Sequence, residues 1–161
     1  MDLKFSFGGA SPDHHHGDDG GAPSGIPLPF TTVSSGALGS TSTVLDASVR
    51  REGDLLVGEV VTGDGVTYAR AEVALRSDAA GAALPDTAAL AKAARSALSR
   101  AVATLEGPLA ESISAVVFAL GDASRTTAEA LGVAVTDAPV VGDALQRRIG
   151  VAAHTPVRIG A

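Results

Sequence analysis

The residue types best suited to chemistry are few, and one carboxylate stands at an informative place. Asp122 follows the apolar run Ile113-Ser-Ala-Val-Val-Phe-Ala-Leu120, with Gly121 between them. Such a run reads as a strand buried on both faces of a sheet. Its acid would then stand at the carboxyl edge, where open α/β sheets bind ligands. Asp13-His-His-His-Gly-Asp-Asp19 gathers metal-ligating types. Neighbouring ligands in a Gly-rich segment are not pre-positioned, so casual affinity at His14, His15 and His16 is expected rather than a dedicated metal site. Arg147, Arg148 and Arg158 offer an anion patch, although arginines at a helix end also answer its dipole. His154 stands alone near the end of the sequence. There is no Gly-x-Ser-x-Gly elbow, Walker loop or dinucleotide fingerprint. The absence of cysteine removes thiolate ligands and cysteine nucleophiles.

The chain that must position these groups has 161 residues, enough for one domain and a tail. It is 45% hydrophobic but only 3% aromatic, so its core is Ala, Val, Leu and Ile, which suits close packing of helix on sheet. A formal charge of −6 argues against general affinity for nucleic acid or an anionic membrane. No run reaches the roughly 18 apolar residues of a membrane span, and residues 1–9 have no apolar signal core. A soluble, cytoplasmic protein is the expectation.

Residues 1–35 differ from the remainder. Gly, Asp, His, Ser and Pro dominate residues 8–25, and the prolines of Ile26-Pro-Leu-Pro-Phe30 bar both helix and central strand. This stretch reads as an extended arm, either a disordered leader or a segment that docks on a partner through Leu3, Phe5, Phe7 and Phe30. Three of the chain's four phenylalanines lie in it.

Residues 36–161 read as a single α/β domain. Leu45, Ala47 and Val49 alternate with Asp46, Ser48 and Arg50, the period of a half-buried strand. Glu52-Gly-Asp54 turns into a second strand over 55–62, apolar but for Glu59. Gly63-Asp-Gly65 is a hairpin signal. The third strand, 66–75, places Ala69, Ala71, Val73 and Leu75 on one face and Tyr68, Arg70 and Glu72 on the other. Pro85-Asp86-Thr87 starts a helix whose apolar positions run from Leu90 to Leu105 and which Gly107-Pro108 ends. After the strand at 113–120, the spacing predicts a helix over 126–131 with Thr126 and Glu129 as a capping box. A short strand at 133–135, a helix over 140–149 and a last strand at 157–159 follow. The expected product is a mixed sheet, an antiparallel meander continued by parallel strands, with helices on both faces.

This order of elements, over about residues 43–150, resembles the ribonuclease H-like fold. In texture it is closest to the opening lobe of actin-like sugar kinases, through the stretch from Gly63 to Leu75, Pro85-Asp86, the Ala-rich helix and Ile113-Ser-Ala-Val-Val-Phe118. That family carries an Asp-x-Gly-Ser/Thr phosphate loop at its first hairpin. Here the turn is Arg51-Glu-Gly-Asp54, and the nearest match, Gly39-Ser-Thr41, has Ala37 where the acid belongs. The resemblance covers one lobe, and the second, which supplies the adenine site, is not expected within these 161 residues. Resemblance to the nuclease branch implies carboxylates gathered on Mg²⁺, with Asp46 on the first strand, Asp122 at the end of the fourth, and Asp137 or Asp143 as a third. That branch's helix acid has no counterpart between Leu90 and Leu105.

The leading expectation is therefore a non-enzymatic assembly or binding domain with no cofactor, no metal and no nucleic-acid partner. It would be a subunit of a homo- or hetero-oligomer whose arm docks on a protein partner. The alternatives are an Mg-dependent phosphoryl-transfer enzyme or nuclease using Asp46 and Asp122, and a degenerate kinase lobe acting as a regulatory subunit.

Overall fold

The computed structural model describes residues 40–75 and 86–160. Leu3, Phe5, Phe7, Phe30 and the histidine cluster at 14–16 lie outside the described residues. Strands β1 (Leu45–Glu52), β2 (Leu55–Thr62) and β3 (Thr67–Ala74) form the meander. Helix α1 (Thr87–Ala103) and the single turn α2 (Pro108–Glu111) lead to β4 (Ala115–Ala119). Helices α3 (Ala123–Ala130) and α4 (Asp143–Ile149) precede β5 (Val157–Ile159). The sheet runs β3-β2-β1-β4-β5. β2 is antiparallel to both its neighbours, whereas β1, β4 and β5 are parallel.

The helices were expected on both faces of the sheet, but α1, α3 and α4 share one. α1 packs on β2 and β3 and also touches α3 and α4, so the three form one layer. The connection from β3 to β4 and the one from β4 to β5 both move the chain the same way across the sheet. Right-handed crossovers then put their helices on the same side. Leu45, Ala47, Val49, Leu56, Val60, Val116 and Phe118 face that layer in a single core.

Small residues set the spacing of the layers. A Cβ at Gly58 would stand 2.9 Å from the Leu98 backbone nitrogen and closer still to the Ala97 carbonyl, so α1 rests directly on β2. Ala94, Ala97 and Ala101, all fully buried, line the helix side of that contact. Asp86 caps α1 as its sequence suggests, its carboxylate accepting from Ala88 N–H at 2.8 Å.

Three local readings are corrected. Residues 133–135 are not a strand: Gly132, at φ 86°, ends α3 in a Schellman turn in which Val133 N–H donates to Ala128 and Gly132 N–H to Glu129. The buried Val133 is the apolar plug of that turn. α3 begins at Ala123, not Thr126, because Gly121 (φ 62°) turns the chain as β4 ends and the buried Ser124 hydroxyl accepts Leu120 N–H at 2.8 Å. Thr126 is inside the helix, and its hydroxyl donates to Ala123 O rather than capping. α4 starts at Asp143 because Val140 and Val141 are already bonded to the segment entering β5.

Two glycine substitutions separate packing from backbone strain. Gly58→Ala is expected to cost about 1–3 kcal/mol by overpacking. Gly53→Ala, at a left-handed φ of 57° with nothing within 4 Å, is expected to cost about 1 kcal/mol. Urea unfolding of both variants checks this; a loss at Gly58 smaller than that at Gly53 contradicts the close contact.

Candidate functional site

The carboxylates singled out by the sequence are placed apart. Asp46, near the start of β1, is level with Ala115, the first residue of β4, whereas Asp122 lies three residues past Ala119 at the other end. The four steps from Ala115 to Ala119 alone span about 13 Å at the rise of a strand, against the roughly 4 Å between ions in two-metal sites. Asp46 Oδ2 accepts from Arg158 at 2.9 Å, while Oδ1 is buried without a partner. Asp122 is exposed at the head of α3 and makes no capping hydrogen bond. Asp137 lies in the segment between α3 and α4 and Asp143 in the first turn of α4, both exposed. Among the described residues no three acids, histidines or cysteines come together as a metal would require.

The arginines are likewise divided. Arg158 is on the sheet face away from the helices, bound to Asp46, whereas Arg147 and Arg148 end α4 on the helix side. These two border a groove of about 390 Å³ with Ser99, Val102, Leu105 and Gly150. It lies where α1 and α4 end, opposite the carboxyl edge favoured by ligands. His154 is exposed in a left-handed turn (φ 65°) whose N–H donates to Val141. The first hairpin turn is closed on itself, Arg51 Nε donating to Gly53 O at 2.8 Å.

What the strands do bring together is a lattice of charges on the face away from α1, α3 and α4. Glu59 of β2 stands opposite Arg70 of β3 and diagonal to Arg50 of β1, two residues along from its partner Ser48. Arg50 Nη2 and Arg70 Nη1 donate to Glu59 Oε1 at 3.0 and 2.6 Å. Arg50 also pairs with Glu52, and Arg70 reaches Glu52 at 3.0 Å and Glu72 at 2.9 Å. The five side chains surround Val57, which points away from the helices and is fully buried. The guanidinium of Arg50 first, and then that of Arg70, holds the Glu59 carboxyl below its ordinary range, and Glu59 in turn raises Arg50. Beside the lattice, β4 contributes a plainer strip, Ala115, Val117 and Ala119.

In the sequence Glu59 stands out as the exception in an apolar strand, and Arg70 and Glu72 share one face of theirs. That Arg50 and Glu52 join them emerges only in the fold. The available signal was the repeated Arg-x-Glu pair on the two strands that flank β2, Arg50/Glu52 and Arg70/Glu72, with Glu59 between them.

Comparison with protein-family models and with curated proteins finds no match. No helix among the described residues is long and apolar enough to cross a membrane.

Glu59 gives a pH test. A carboxylate depressed in the fold stabilises it fully above its unfolded value, about 4.3, and the contribution is lost as pH falls through the lower folded value. Glu59→Gln is expected to cost about 1–3 kcal/mol at pH 7, with the gap to wild type closing below about pH 4.3. Thermal unfolding across pH 2–8 checks this; a gap that persists at pH 2 contradicts it.

Proposed function

We propose that this domain is a non-catalytic assembly or binding module with the ribonuclease H-like frame of an actin-like kinase lobe. The strand order β3-β2-β1-β4-β5 with β2 alone reversed supports that frame. The observation that carries the function is the sheet's second face. All-parallel sheets are covered on both sides; in this mixed sheet the parallel strands β1, β4 and β5 have α1, α3 and α4 on one side among the described residues. The other side carries ions paired with one another and, on β4, the half-buried Val117 and the exposed Ala119, a surface suited to burial against protein. Acids engaged by guanidinium groups, as Glu59 and Asp46 are, suit such a surface better than catalysis.

In this reading residues 1–35 reach a partner subunit through Leu3, Phe5, Phe7 and Phe30. A cysteine-free chain fits a cytoplasmic setting. Burial of one Phe or Leu side chain is worth about 1.5–3 kcal/mol, and 1.4 kcal/mol is tenfold in affinity. Replacing all four with alanine is therefore expected to raise the dissociation constant of the assembly at least about tenfold, as read by sedimentation equilibrium on the full chain. A wild-type chain that is monomeric at about 100 μM and retains no partner contradicts the reading.

A further inference from the structure

We infer that the partner includes a second copy of this chain, joined edge to edge through β3 into a continuous ten-stranded sheet; this rests on the assembly reading above. The two edges of the sheet differ. At β5, only three residues long, Pro139 accepts Val157 N–H at 2.8 Å and Val140 bridges Pro156, so that edge is occupied. At the other edge β3 has eight residues and, among the described residues, pairs only with β2. The irregular register lies at its start, between Val60 and Val61, and leaves the pairing of residues 69–74 regular.

The hydrogen-bond phase of β3 is set by Leu75, whose N–H donates inward to Asp54 at 2.7 Å. Alternate residues therefore turn their backbone groups toward β2 at Ala69, Ala71 and Val73 and away from it at Arg70, Glu72 and Ala74. The exposed residues Arg70, Glu72 and Ala74 thus present a ladder that no described strand pairs with. Natural sheets guard such an edge with charges that repel a copy. Here the charges are opposite in sign and two residues apart, and they attract one.

An antiparallel pair with its two-fold axis at Ala71 sets Arg70 against the copy's Glu72, and Glu72 against the copy's Arg70. The same register places Ala69 against Val73 on the helix side and Tyr68, 43% exposed, against Ala74. Shifting it by two residues either way puts Arg70 against Arg70 or Glu72 against Glu72. A shift of one sets outward backbone groups against inward ones. One register satisfies charge, face and hydrogen bonding together. Each Arg70–Glu72 contact would extend the Glu59–Arg70 row already present across β2 and β3.

Light scattering on the full chain, with circular dichroism to confirm folding, tests this. Wild type is expected near twice 15.9 kDa. Glu72→Arg alone and Arg70→Glu alone set like charges opposite each other and are expected at the monomer mass. An equimolar mixture of the two variants restores both opposite-charge contacts and is expected to return to the dimer mass. If Arg70→Glu, which also loses Glu59 and Glu52, does not fold, cysteine scanning replaces it. The chain has no cysteine, and paired residues about 4.5 Å apart between Cα atoms fall within disulfide reach. Ala71→Cys is expected to oxidise to a covalent dimer and Ala69→Cys is not. An oligomer that survives both charge reversals, or that forms while Ala71→Cys stays uncrosslinked, overturns the β3 pairing and leaves assembly standing. A wild-type monomer at about 100 μM overturns the self-pairing, and the assembly reading then falls as well if no other protein is retained.

Discussion

Everything in this domain depends on α1 lying directly on Gly58. A helix laid on a sheet is normally held off by side chains; here the Ala97 carbonyl and Leu98 nitrogen meet a strand residue that has none. That approach explains the composition. A core this thin has room for Ala, Val and Leu and little for rings, and Phe118 is the one aromatic residue fully buried among the described residues. It also ties the helix layer to one face, since α1 over β2 and β3 provides the shelf on which α3 and α4 pack.

The other face follows from the same constraint. With α1, α3 and α4 on one side, β1, β2 and β3 turn their alternate residues to the opposite side, among them Arg50, Glu52, Glu59, Arg70 and Glu72. Side chains with long stems can cover Val57 while their charges meet above it. A surface pair would contribute little; a shared, mostly buried acceptor such as Glu59, 11% exposed, contributes more because its two arginines satisfy it together.

Much of this was legible in the sequence. The period of two in 45–49, the Gly63-Asp-Gly65 turn and the Asp86 cap are local signals, and the three strands and α1 came out close to their observed bounds. Asp46 and Asp122 as a pair depended on register, which no local pattern contains. The strand expected at 133–135 and not found has a physical cause: Val133 is buried and β-branched, as a strand residue would be, but its N–H is taken by the turn that ends α3. The thinness of the helix–sheet contact could be read from composition, but not that Gly58 was its centre.

Assembly through the sheet, the central claim, is tested most directly by residue-resolved hydrogen exchange at two protein concentrations. Ala69, Ala71 and Val73 bond inward and should be protected at both. Arg70 and Glu72 bond outward, and their amides should be protected at high concentration and exchange freely on dilution below the dimer dissociation constant. Outward amides that exchange freely at every concentration would contradict the account.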